Sequence, residues 1–165
     1  MIEITSRLQQ PGADAPRHRL RLAFELRQKT RLRTQLEGGE DAWILLPRGE
    51  ILRGGDLLLS RDGRVVEVVA KLERLLHVES DEPQALARAA YHLGNRHVPV
   101  EVGDGYLRLG FDHVLEQMLR GLSVRVSVID APFEPEAGAY AVHTHTDESK
   151  QAGRIHEYGA RRDGS

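Results

Sequence analysis

Polar and apolar side chains alternate through the first part of the chain. Arg19-Leu20-Arg21-Leu22 puts leucines on one face and arginines on the other, the period of a half-buried strand. Arg31–Leu36 and Ala42–Leu46 flank Gly38-Gly39, and glycine takes the positive φ that a tight hairpin turn requires. Pro47 ends the second of these runs. Gly54-Gly55-Asp56 then precedes Leu57-Leu58-Leu59, and Asp62-Gly63 precedes Val65–Val69. Short strands at close turn spacing predict a small β sandwich or barrel, with β structure throughout.

Near residue 75 the period changes. Leu72–Val78 reads as a strand, Ser80-Asp81-Glu82 supplies N-cap candidates, and Pro83 suits a first helical turn. Leu86, Ala89, Ala90 and Leu93 share one helical face, and Gly94-Asn95 marks the stop. Val98–Val102 and Tyr106–Leu109 form two strands about Gly103-Asp104-Gly105, with Pro99 favouring an edge position for the first. Phe111, Val114, Leu115, Met118, Leu119 and Leu122 make the apolar stripe of a second helix, with Phe111 as its leading core residue and Gly121 as its end. Ser123–Ile129 alternates as a last strand. The order β-α-β-β-α-β is the ferredoxin-like arrangement. The fold class is therefore α+β. A small all-β domain is expected over residues 1–74, a ferredoxin-like domain over 75–138, and a flexible tail rich in glycine and polar residues over 139–165.

An apolar share of 40 % in 165 residues allows two thin cores, each leaning on its neighbour or on a dimer partner. The absence of cysteine excludes disulfides, thiolate metal sites and cysteine nucleophiles. Metal would have to be held by histidine, carboxylate, water or backbone, which suits nickel, zinc or copper(II) and argues against copper(I) or iron–sulfur clusters. Met1-Ile2-Glu3-Ile4 lacks a basic-then-apolar signal and no apolar run approaches ~20 residues, so a cytoplasmic protein without a membrane partner is expected. Residues 1–75 carry 14 basic and 11 acidic side chains, and the rest carry 9 and 14. That mild asymmetry suggests different partners for the two halves.

Histidine is the unusual resource, with eight in the chain. His97 follows a helix stop and precedes a strand, so it is expected on an exposed turn. His92 is expected on the solvated side of its helix. His113 lies about 200° around its helix from Phe111, at ~100° per residue, and with Asp112 beside it offers either a weak accessory metal site or an ordinary polar face. In His143-Thr144-His145 alternate residues of an extended segment point the same way and can reach one ion, and His156 can join by looping back. His18 and His77 fall in strands, where structural roles are expected. Arg17, Arg19 and Arg21, then Arg27, Lys29, Arg31 and Arg33, repeat a basic strand face. A nucleic-acid-binding module is one reading of this face. The acidic second half and its lack of stacking aromatics favour docking to an acidic protein, with no nucleic acid bound. No H-E-x-x-H or comparable three-ligand cluster supports an enzyme.

Tyr91-His92-Leu93-Gly94-Asn95-Arg96-His97-Val98-Pro99 resembles the G-N-R-H signature of the UreE nickel metallochaperones. Asp112–Leu119 and Pro132–Tyr140 resemble the next two blocks of that family in the same order. Leu46-Pro47-Arg48-Gly49, Gly55-Asp56 and Asp62–Val68 extend the likeness into the first half. The resemblance implies an N-terminal partner-binding β domain and a C-terminal ferredoxin-like domain that binds metal and forms a homodimer. It places His97 of both subunits at the two-fold interface as primary Ni(II) ligand, with His143, His145 or His156 completing the shell and Zn(II) or Cu(II) as competitors. It implies delivery for urease active-site assembly, with the maturation GTPase and the urease apoprotein complex as partners. Some members carry H-D-H where this chain has Phe111-Asp112-His113, so the accessory site at Asp112 and His113 is reduced or absent. The tail also lacks a long histidine-rich run, so few ions per dimer are expected.

Overall fold

Two sheets carry the fold. In the computed structural model, which describes residues 1–8 and 17–137, the first sheet has six strands and the second has four. The six are β1 (Ile2–Leu8), β2 (Arg17–Leu22), β3 (Arg31–Gln35), β4 (Asp41–Leu45), β5 (Leu57–Ser60) and β6 (Val65–Ala70), in the spatial order β2-β6-β5-β1-β4-β3. Alternation decides which side chains turn inward. Ile2 and Ile4, Leu20 and Leu22, Ala42 and Ile44, and Val66 and Val68 meet in one core with Leu52 and Leu58. Each such side chain contributes about 1.5–3 kcal/mol relative to exposure.

β3 and β4 pair antiparallel about Gly39, whose φ of +82° is the conformation glycine permits. Two other pairings are parallel, β1 with β4 and β2 with β6. Local alternation identifies a strand but carries no information about its partner, so these were not legible. The sheet curls until its ends approach. The N–H of Glu37, just past β3, donates to the Arg19 carbonyl on β2 at 2.9 Å.

The expectation of β structure throughout the first domain is corrected by a short helix, α1 (Phe24–Arg27). The Ala23 carbonyl accepts from both Leu26 N–H (3.0 Å) and Arg27 N–H (3.1 Å). One turn is too short to show a helical period. Arg27, assigned from sequence to the basic face, is instead completely buried.

The second sheet is antiparallel, in the order β10-β7-β9-β8, built from β7 (Leu72–Glu79), β8 (Glu101–Gly103), β9 (Tyr106–Gly110) and β10 (Arg125–Pro132). With α2 (Pro83–Gly94) and α3 (His113–Arg120) as its crossovers, it is the ferredoxin-like βαββαβ unit. Leu76, Val78, Leu107 and Leu109 pack beneath Ala89 and Leu93 of α2 and Leu119 of α3. β8 lies at an edge, as proline suggested, but Val98–Val100 stays outside it because Pro99 has no N–H to donate. α3 starts two residues later than its apolar stripe, because Asp112 caps it and leaves Phe111 outside.

The other face of this sheet meets the first domain. Leu75 packs with Phe24 of α1 and with Phe133, which follows β10, and the two rings meet edge to face at 5.4 Å. Arg27 lies over the same joint. Its Nη1 donates to Leu52 O (3.2 Å) and to both carboxylate oxygens of Glu134 (2.9 Å each), and its Nη2 donates to Phe133 O. Arg53 donates to Glu134 (3.3 Å) and Pro135 O (2.6 Å), and Gly54 N–H donates to Glu134 Oε1 (2.8 Å). On its other side the segment is held by the second domain, with Glu134 N–H donating to Glu101 Oε2 and Glu136 N–H to Val100 O, both at 2.8 Å. Residues 133–136 thus form a strap bonded to both domains.

Burial pushes the Glu134 carboxyl upward, but Gly54 N–H, Arg27 and Arg53 outweigh it and hold the group below its ordinary 4.5. A depressed carboxylate stabilises the fold fully above its unfolded value, and that stabilisation is lost as pH falls through the lower folded value. Glu134→Gln leaves Arg27 buried without its counter-charge and should cost about 3 kcal/mol at neutral pH. Urea unfolding at pH 7 and at pH 4 or below should show the gap between variant and parent narrowing with acid. An equal gap at both pH values would contradict the clamp.

Candidate metal-binding site

His97 lies where the chain leaves α2. Its N–H donates to Gly94 O (2.9 Å) and Val98 N–H donates to Leu93 O (3.3 Å), the paired closure of a Schellman turn. Val98 packs into the core cluster that holds Leu93, the apolar contact that accompanies this turn. The turn needs one residue in the left-handed region, usually glycine. Here that residue is His97, with φ of +55°. The glycine stop read from the sequence is corrected accordingly. Gly94 is helical, and the histidine takes the left-handed position. Pro99 restricts Val98 to extended backbone, so the exposed His97 is rigidly held on both sides.

His97 borders a groove of about 420 Å³ that also involves Pro99, Phe111, Asp112, Leu115 and Phe133. Phe111 corrects another expectation, because it is 38 % exposed and the Arg74 guanidinium lies 4.0 Å above its ring. Val114, assigned to the buried stripe, is 59 % exposed. The Asp112 carboxylate accepts from Val114 N–H (2.8 Å) and Leu115 N–H (3.0 Å). Chiefly the Leu115 N–H holds its carboxyl below the usual range. Asp112 is therefore engaged as a helix cap. His113 is exposed on the first turn of α3.

Among the other histidines, His92 is half-buried, its ring edge-on to Tyr91 at 5.5 Å. His77 accepts from Arg108 Nε at Nδ1 (3.1 Å), its Nε2 lies 3.3 Å from Glu79, and its ring tilts against Tyr106. Those contacts give it a structural role. His18 is half-buried on β2. His143, His145 and His156 lie outside the described residues. Among the described residues no three histidine or carboxylate side chains converge to hold a metal ion. One chain thus presents a single fixed imidazole at a partly apolar groove and an incomplete ligand set.

Sequence reasoning missed Arg27 and the strap. The only available signal was Phe24-Glu25-Leu26-Arg27, a break in alternation between two arginine rows. No helix among the described residues is long and apolar enough to cross a membrane.

A β domain joined to a ferredoxin-like domain, with one exposed histidine rather than a catalytic constellation, defines a binding protein built from two modules. The family models of the UreE urease accessory protein divide the chain in the same way. The N-terminal domain matches residues 2–71 and the C-terminal domain residues 73–159. Similar proteins include three named urease accessory protein UreE. The protein from Cupriavidus necator is 51 % identical over 145 residues, covering 85 % of this chain and 76 % of that one. That from Azotobacter vinelandii is 50 % identical over 149 residues, covering 87 % and 90 %. That from Cupriavidus pinatubonensis is 59 % identical over 122 residues, covering 74 % of this chain and 55 % of the longer relative. The chain belongs to the UreE urease accessory protein family.

Left-handed backbone costs a non-glycine residue on the order of 1 kcal/mol. His97→Gly is expected to raise the unfolding free energy of the metal-free protein by up to about 1 kcal/mol, whereas His97→Ala should give no gain. Thermal unfolding of the two variants side by side checks this, and equal melting temperatures would refute it.

Proposed function

We propose that this protein is a nickel carrier of urease maturation, an accessory protein rather than an enzyme, and that it binds Ni(II) between two copies of itself through His97. The observation behind this reading is the single rigid, exposed imidazole in a chain whose described residues assemble no ligand set of their own. A two-fold contact doubles each ligand without further sequence. Phe111 and Val114, both exposed beside the groove, supply the apolar surface that such a contact would cover.

The strap supports a role for the tail. Glu136 is bonded to Val100, three residues after His97, and Phe133 borders the same groove. His143 follows Ala137 by six residues, a reach of about 20 Å when extended. His143, His145 and His156 are therefore proposed as additional ligands from either chain, removable one at a time when the ion passes to the urease apoprotein complex and its maturation GTPase. Asp112, committed to its cap, and His113 are at most accessory. Nitrogen ligands alone do not discriminate against Cu(II) or Zn(II), so nickel selectivity would rest on supply and partners.

His97→Ala should abolish the tightest nickel site while leaving fold and dimer intact. Titration calorimetry with light scattering on the same sample tests this, and an unchanged first-site affinity would remove His97 from the site. Truncation after Ala137 should lower nickel affinity or stoichiometry with little change in melting temperature. If the shortened protein binds identically, the tail histidines are not ligands. Only neutral imidazole coordinates, so acidification should weaken binding in the parent protein.

A further inference from the structure

The two terminal strands of the first sheet differ in how their edges are finished. On β2 the Arg19 carbonyl accepts from Glu37 N–H at 2.9 Å, and the Arg21 guanidinium holds the Glu37 carboxylate at 2.7 Å. An extended residue with an acidic side chain thus already occupies one end of the β2 edge. β3 is paired only with β4, and no ladder joins β3 to β2 among the described residues. Because Glu37 directly follows the end of β3, the two edges approach there and leave a seam beyond it.

Both sides of that seam point arginines outward. Arg19 and Arg21 are exposed on β2, Arg31 and Arg33 on β3, and Leu20, Leu22 and Leu32 turn toward the core. Arg33 is 74 % exposed in its pair with Asp41, and Arg31 has no ion-pair partner among the described residues. Charges on an edge strand discourage indiscriminate pairing of exposed backbone. When all are of one sign they also select which strand is admitted. Trp43, on β4 beside Arg33, is 42 % exposed on this outer surface.

We propose that the β2–β3 seam docks an extended acidic segment of a partner protein. The segment adds backbone hydrogen bonds to the open edge and sets carboxylates against Arg31, Arg33 and Arg19, repeating the contact that Glu37 makes within the chain. This surface is independent of His97, so the proposal stands or falls separately from the metal site.

The probe is an acetylated, amidated octapeptide of alternating glutamate and threonine, with a lysine–threonine octapeptide as control, titrated into the full chain. Binding is read from Trp43 fluorescence, the chain having one tryptophan, and from amide exchange. The acidic peptide should bind and protect amides of β3, and the lysine peptide should not. Arg31→Glu with Arg33→Glu should weaken the acidic peptide at least about tenfold and admit the lysine peptide, with the melting temperature of the parent. Equal binding of both peptides, protection confined to other strands, or displacement of the peptide by an equimolar RNA oligonucleotide would overturn the proposal. Nickel titration of the double variant should match the parent, separating this outcome from failure of the carrier reading.

Discussion

A guanidinium with no access to water must find partners inside the protein, and Arg27 organises the molecule by doing so. Its acceptors come from two places far apart in sequence, the Leu52 carbonyl of the first domain and the Phe133–Glu134 segment after the last strand of the second. A buried pair of this kind adds little net stability over an apolar replacement, but it tolerates few alternative geometries. The joint between domains is set by that intolerance. Phe24, Leu75 and Phe133 fill the space beneath it, and Arg53 and Gly54 complete the acceptor side.

The same bonds decide where the chain goes after the second domain. Held by Arg27 and Arg53 on one side and by Glu101 and Val100 on the other, residues 133–136 end beside the groove that His97 borders. Domain packing and presentation of the histidine groove are thus coupled through one short strap. The histidine is itself a compromise. A helix ending that glycine would make without strain is made by a ligand-type residue, a local loss of stability accepted at a site with another use.

Much of the second domain was legible in the sequence because its elements are amphipathic over several turns or strand repeats. Leu93 and Ala89, or Leu107 and Leu109, announce their faces through spacing alone. The first domain was legible as strands but not as a sheet, since Leu20 and Leu22 say which way they point and not that β6 runs beside them in parallel. Phe111 was misjudged because a stripe of apolar spacing was extended through a capping aspartate, and Asp112 starts the helix after it. His97 was identified as exposed from its neighbours. Its left-handed backbone was hidden by Gly94, which looks like the residue that should hold that conformation and does not. Arg27 could not be separated from surface arginines by composition, because its burial depends on Glu134, which lies 107 positions away.

The parallel pairings constrain how the protein can be made. β1 is flanked by β4 and β5, and β2 lies against β6, so the earliest strands to leave a ribosome have no sheet neighbours until residues near 70 have followed. The ferredoxin-like half closes its helices against nearer strands. High contact order slows the first process relative to the second. Biosynthesis therefore begins with the part of the molecule that matures late, and its leucine-rich and isoleucine-rich strands wait unpaired meanwhile. Chaperone engagement would act on that interval.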